Sequence, residues 1–262
     1  MFLILIAMAG CADGPGCGDD AACRVEGGRY LAFPPPDADG PVPLVIAMHG
    51  AGSDPESIAS RRHVEAANEA GVLLVAPEGE GGGWQVVPGF AFSEDPRDDL
   101  AWLEAVRADA VARFDADPTR TVSTGFSIGA SMALLLACDA PDRWSVLYPT
   151  GGSFWEPQPA DCGEPVRPVR HVHGAADETW PLEGRSFGAA RQGSVEDELD
   201  LWIEVHGCAP DATETFEEGP LTCTRWTDCA SGQPVEDCRH DGGHQRPDDW
   251  LPAMVDFAER TW

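Results

Sequence analysis

The sequence predicts an α/β fold: a mostly parallel central sheet with helices on both faces. Three observations predict it. Short continuous apolar runs, the mark of strands buried on both sides, stand at residues 43–48 and 72–76. Segments of helical period alternate with such runs along the chain. One strand-like run, 120–125, passes straight into an apolar helical run, 128–138, through Gly125-Phe126-Ser127-Ile128-Gly129. No linker divides the 262 residues, so a single domain with a large core accounts for them.

In chain order, residues 28–33 suit an early edge strand stopped by Pro34-Pro35-Pro36. After the buried run 43–48, Asp54-Pro55 supplies an N-cap and a proline at the first helical position. That helix is expected to reach about residue 70, where Gly71 stops it. The strand 72–76 follows, then a Gly-rich stretch, 77–94, containing Trp84. Asp95-Pro96 opens the next helix, with Leu100, Leu103, Val106, Ala110 and Val111 as its apolar stripe. Residues 144–148 and 168–173 read as further strands and 194–205 as a helix. Residues 222–228 and 235–239 flank a hairpin turn at Ala230-Ser231-Gly232-Gln233. An amphipathic helix, 248–262, closes the chain.

Composition excludes some partners. Seventeen basic residues, every one an arginine, face 45 acidic ones, a formal net charge of −28. So acidic a surface repels nucleic-acid phosphates and anionic lipid, and serves solubility. Residues 1–10 form a short apolar run ending in small residues before Cys11, which predicts an export signal. Met8-Ala9-Gly10-Cys11 resembles a lipobox, so Cys11 is a candidate for lipid attachment and membrane anchorage. Residues 11–27 read as a tether, leaving 28–262 as the domain. Nine cysteines suit an oxidising compartment. Without Cys11 they are an even set: Cys17, Cys23, Cys138, Cys162, Cys208, Cys223, Cys229 and Cys238. Eight cysteines allow 105 pairings. With no C-x-x-C among them, disulfides are expected rather than metal.

A serine hydroxyl becomes a useful nucleophile only with a base to take its proton and a carboxylate to orient that base. Ser127, between strand and helix in G-x-S-x-G, is the candidate nucleophile. Downstream, in the order acid then histidine, come Asp177, just past a strand, and His244, after Gly242-Gly243. Glu178 competes with Asp177, and His240 with His244. His49, His63, His171, His173 and His206 are read as structural. The negative oxygen of an acyl-transfer intermediate needs two N–H donors. Ile128, after the nucleophile, and Ala51, in His49-Gly50-Ala51-Gly52, are the candidates. Trp84 and Trp180 are candidates for binding an aryl or sugar group, or else core residues. This chemistry needs no metal or cofactor.

The strings VIAMHGAGSD, GFSIGASMA, HVHGAAD and DGGH, in that order, resemble secreted α/β-hydrolases of the polyhydroxybutyrate depolymerase and feruloyl esterase group, relatives of carbohydrate esterase family 1. The resemblance runs from about residue 43 to the end. It implies a disulfide-stapled α/β-hydrolase fold and a serine esterase of feruloyl, acetyl or short polyester type. Ser127, Asp177 and His244 would form its triad, with Ala51 and Ile128 as oxyanion donors. It also implies Cys138–Cys162 and Cys208–Cys229 bridges, which leave Cys17–Cys23 and Cys223–Cys238. Three places depart from the family pattern: Ile128 and Ala130 after the serine, Trp180-Pro181 after the acid, and Arg246 where a tryptophan commonly follows the histidine. A peptidase of the same fold, or a non-catalytic surface module, are the competing functions.

Overall fold

The computed structural model describes residue 17 and residues 22–36, 38–87, 91–209, 211 and 214–262. The expected signal, residues 1–10, and Cys11 lie outside the described residues. Among the described residues twelve strands form: β1 (Ala22–Val25), β2 (Gly28–Phe33), β3 (Val42–Met48), β4 (Leu73–Pro77), β5 (Ala116–Phe126), β6 (Val146–Thr150), β7 (Val169–Gly174), β8 (Arg185–Phe187), β9 (Ala190–Gln192), β10 (Glu214–Glu218), β11 (Leu221–Trp226) and β12 (Val235–His240). Ten of them make one sheet in the order β1-β2-β4-β3-β5-β6-β7-β12-β11-β10, and β8 pairs with β9 as a separate hairpin. The centre, from β4 to β12, is parallel; both margins are antiparallel.

The helices are α1 (Pro55–Ile58), α2 (Arg61–Glu69), α3 (Asp99–Phe114), α4 (Ile128–Asp139), α5 (Val195–His206) and α6 (Trp250–Glu259). Because side chains alternate across a strand, β3 feeds two cores. Leu44, Ile46 and Met48 join α3, α4 and α5 on one face. Val45 and Ala47 join α2 and α6 on the other. Every residue of β4, β6 and β7 is buried, as a doubly covered parallel sheet requires.

Several expected boundaries move. The stretch 54–70 is two helices, because Ser60 begins a new one by accepting the His63 N–H. Asp98 rather than Asp95 caps α3, its carboxylate taking the Ala101 N–H. Residues 22–25, expected in the tether, are strand β1, which displaces β2 from the sheet edge. Cys23 in that strand is fully buried, so the domain begins before residue 28. Disulfides join Cys17–Cys23, Cys138–Cys162, Cys208–Cys229 and Cys223–Cys238. The last crosses directly opposed residues of β11 and β12.

The chain leaves β3 toward β4 but leaves β5 toward β6 on the opposite side, although β3 and β5 are neighbours. Their carboxyl ends therefore flank a topological switch point, where open α/β sheets form a crevice.

Candidate active site

Ser127 stands at that crevice, between β5 and α4, with φ 58° and ψ −124°. A positive φ at a non-glycine residue costs about 1–3 kcal/mol and persists only where neighbours enforce it. Here the Ser127 N–H donates to the Thr150 carbonyl at 2.9 Å. The flanking glycines are required by close approach. A Cβ on Gly125 would lie 2.2 Å from the Gly129 oxygen, and one on Gly129 would lie 2.3 Å from the Met48 oxygen. The second contact brings the β3 end against the start of α4.

Two further loops complete the site. The loop after β7 is tied to the loop after β12 by hydrogen bonds from Ala175 N–H to the His240 carbonyl and from Ala176 N–H to the Gly242 carbonyl. They bring Asp177 and His244 together: His244 Nδ1 is 2.7 Å from Asp177 Oδ2, and His244 Nε2 is 2.9 Å from Ser127 Oγ. Asp177 Oδ1 accepts the Thr179 and Trp180 N–H groups, both at 2.8 Å. Burial alone would raise the Asp177 pKa. Hydrogen bonds from His173, the Trp180 amide and His244 outweigh burial and hold it well below the carboxylate range. The His244 ring packs on Phe126 at 4.7 Å, with the Arg246 guanidinium over Phe126 and Trp250. Glu178 and His240 stay outside this contact. His240 Nδ1 instead accepts the Gly242 N–H.

Among the described residues, neither the Ala51 N–H nor the Ile128 N–H has a hydrogen-bond partner. Ile128 opens α4, where the helix dipole favours negative charge. His49 is a brace for the Ala51 turn: its Nδ1–H donates to the Gly50 carbonyl at 2.9 Å and its Nε2 accepts the Gly79 N–H at 3.0 Å. Burial lowers its pKa, which keeps that acceptor free of a proton.

Of the two alternatives for Trp84 and Trp180, the structure takes core packing over substrate binding. Trp84 is fully buried beside His49, its indole N–H donating to the His49 carbonyl at 2.8 Å. Trp180 is 1% exposed, donates to the Gly193 carbonyl and stands edge-on to Trp155. Neither offers a face to substrate; they stiffen the loops that carry Ala51 and Asp177. The reading from sequence gave Phe126 and Arg246 no part in the site, and took the buried pair His171 and His173 as structural. Arg246 carried a signal, since it occupies a known departure from the family pattern. The histidines carried another, being polar residues at alternate positions of a wholly buried strand.

A family model described as "Putative esterase" matches residues 26–260. The chain belongs to this esterase family. It is a carboxylic ester hydrolase of the α/β-hydrolase fold, with feruloyl esterase-like kin. It is 24% identical to "Probable feruloyl esterase C" of Aspergillus niger over 96% of this chain and 90% of that protein. Against "Feruloyl esterase C" of Emericella nidulans the identity is again 24%, over 96% and 90%. Among solved structures, an acetyl xylan esterase from Aspergillus awamori superposes with a TM-score of 0.64 at 14% identity, covering 86% of this esterase and 93% of that chain. The four disulfides of the esterase are those of a protein from an oxidising compartment.

Proposed function

We propose that the protein is an exported serine esterase working through Ser127, His244 and Asp177. One observation carries the reading: the serine hydroxyl, imidazole and carboxylate form a continuous hydrogen-bonded line, 2.9 Å and then 2.7 Å, over the switch-point crevice. Asp177 fixes the proton of His244 on Nδ1 and leaves Nε2 bare toward Ser127 Oγ. Ser127 attacks the ester carbonyl as His244 takes its proton. The developing oxyanion accepts the Ala51 and Ile128 N–H groups. The C–O bond to the alcohol then breaks, and His244 returns the proton to the departing oxygen. Water, deprotonated by His244, attacks the acyl-enzyme and releases the acid and free Ser127.

The substrates we infer are feruloyl or acetyl esters, small or carried on a glycan, as the names of the relatives suggest. We infer further that residues 1–10 are removed on export and that Cys11 then takes a lipid. Mass spectrometry of the mature N-terminal peptide tests that step.

The deciding experiment is Ser127→Ala. Ester hydrolysis should disappear while the melting temperature hardly moves, and an aryl-phosphonate should label Ser127 alone in the native enzyme. Undiminished turnover in the variant would refute the proposal.

A further inference from the structure

Behind Asp177 runs a buried polar file that the proposed mechanism does not use. His173 Nε2 lies 2.8 Å from the Trp180 carbonyl and 3.3 Å from Asp177 Oδ2. His173 Nδ1 is 3.0 Å from His171 Nε2, and His171 Nδ1 is 3.0 Å from Glu198 Oε1, on α5. The His171, His173 and Glu198 side chains are wholly buried.

The proton positions follow from the chemistry of the two ends. A carbonyl and a carboxylate can only accept, so His173 Nε2 carries a proton. Burial lowers the pKa of both imidazoles, that of His171 to about 3, so each ring is neutral and has a single N–H. His173 Nδ1 is then bare and accepts from His171 Nε2–H. His171 Nδ1 is bare in turn, and only a protonated Glu198 can donate to it. The main-chain carbonyl of Trp180 thus dictates a proton on a glutamate three hydrogen bonds away.

Independent features agree. Glu198 Oε2 is buried and makes no hydrogen bond of good geometry, a setting that penalises a carboxylate more than a neutral acid, although the Ser153 hydroxyl and the Trp202 indole stand near enough to favour the charged form. Burial pushes the Glu198 pKa up to about 8, against smaller opposing effects of Ser153, His173, Arg239 and, on its own helix, Trp202. From β12, Asp237 and Arg239 stand level with His171 and His173, but they pair with each other.

We propose that Glu198 is a positioning residue of the esterase, a neutral acid that through His171 and His173 delivers an N–H to Asp177, and whose ionisation withdraws it. This rests on the reading of Asp177 as the triad acid. On ionisation one proton is lost to solvent. The Glu198 carboxylate now accepts from His171 Nδ1–H, and His171 Nε2 from His173 Nδ1–H. His173 Nε2 then presents a lone pair to two acceptors, the Trp180 carbonyl and Asp177 Oδ2. Asp177 loses one of its donors and is pushed out of line with His244, so turnover falls as pH rises through about 8.

The test compares kcat against pH for the wild type, Glu198→Gln and Glu198→Leu. The glutamine amide donates to His171 at every pH. Glu198→Gln should therefore keep the wild-type kcat at neutral pH and lack the alkaline fall centred near pH 8. Glu198→Leu has no carboxyl to ionise and leaves the Trp180 carbonyl holding the His173 tautomer, so it should also lack the alkaline fall. In ¹⁵N-histidine spectra of the wild type and of Ser127→Ala, His171 and His173 should both be Nε2–H tautomers at neutral pH and become Nδ1–H with the alkaline transition. The spectra decide even if Glu198→Leu does not fold. An alkaline limb in Glu198→Gln identical to the wild type, or an Nδ1–H His173 at neutral pH, overturns the proposal. Neither outcome depends on Ser127, whose own variant tests the triad separately.

Discussion

Replacing Asp177 by asparagine tests the site most sharply, because the three hydrogen bonds that the structure gives the carboxylate, and the His173 ring nitrogen facing it at 3.3 Å, all call on it to accept. Oδ1 takes two backbone N–H groups and Oδ2 faces the His244 and His173 rings. In Asp177→Asn the amide oxygen must stay with the Thr179 and Trp180 N–H pair, since an NH2 there would oppose two donors. The NH2 then points at His244 Nδ1. That ring can accept only by moving its own proton to Nε2, which faces Ser127 Oγ at 2.9 Å. An Nε2–H cannot take the serine proton. Such a tautomer error in a serine triad lowers kcat about ten-thousand-fold, about 5.5 kcal/mol of transition-state stabilisation. KM should change little, because no substrate contact is lost. The assay is p-nitrophenyl acetate hydrolysis over a range of substrate concentrations. The same substitution has a signature in stability. A carboxylate whose folded pKa is depressed stabilises the native state above its unfolded pKa, and that stability drains away as pH falls. Wild type should therefore lose more stability than Asp177→Asn between neutral and acid pH. A variant within tenfold of wild-type kcat would refute the tautomer argument, and with it the role given to Asp177.

Other perturbations follow from single contacts. His49→Phe leaves the Gly79 N–H without its acceptor in a buried site, which should cost about 1–3 kcal/mol by urea unfolding. Displacing the Ala51 turn should also lower kcat by up to about a hundredfold, with KM nearly constant. Changing both Cys223 and Cys238 to alanine opens a loop of sequence separation 15, and should cost about 3 kcal/mol of stability while the folded fraction keeps its kcat. Glu198→Gln should raise the melting temperature in neutral buffer. An acid with a raised folded pKa favours the native state less and less as pH climbs from the unfolded value, 4.5, toward about 8, and glutamine carries no such penalty.

What could be read from the sequence was local. The strand–serine–helix junction is contiguous, and its glycines are demanded by contacts within or beside it, so the placing of Ser127 at a tight strand–helix turn was evident. The parallel core was evident too, because strands covered on both faces leave continuous apolar runs. Elements with weak local signals were missed. β10 is rich in glutamate because an edge strand can keep charges in water, while Phe216 packs on the core and Glu218, on the same face, pairs with the buried Arg170. β1 was hidden in a segment whose composition suggested a tether, and Cys23 enters the core only through pairing with β2. Trp84 and Trp180 stayed open between site and core because aromatic composition near a candidate loop does not tell which way the ring faces. Burial of these rings depends on where the loops fold back, and both indoles turned out to hold main-chain carbonyls. The Glu198 file was illegible for the same reason. HVHG is short, and its meaning depends on a glutamate 27 residues from His171, on a helix that packs across the sheet.

The two sides of Asp177 are held differently, and that difference has a consequence for the site. Oδ1 is fixed by backbone N–H groups of its own loop, which no side-chain titration can alter. Oδ2 is held by two imidazoles, one in the crevice and one in the core. Rotation of the carboxylate is therefore blocked from the core side even if the His244 ring moves. His244 sits on a glycine-bearing loop and is 17% exposed, whereas Asp177 is wholly covered. In the proposed triad the rigid partner is therefore the acid and the adaptable one the base. Substitutions in the His244 loop should act mainly through the base's reach to Ser127. Substitutions in the buried file should act through the direction of the Asp177 carboxylate, and only the latter should carry a pH dependence that glutamine at position 198 removes.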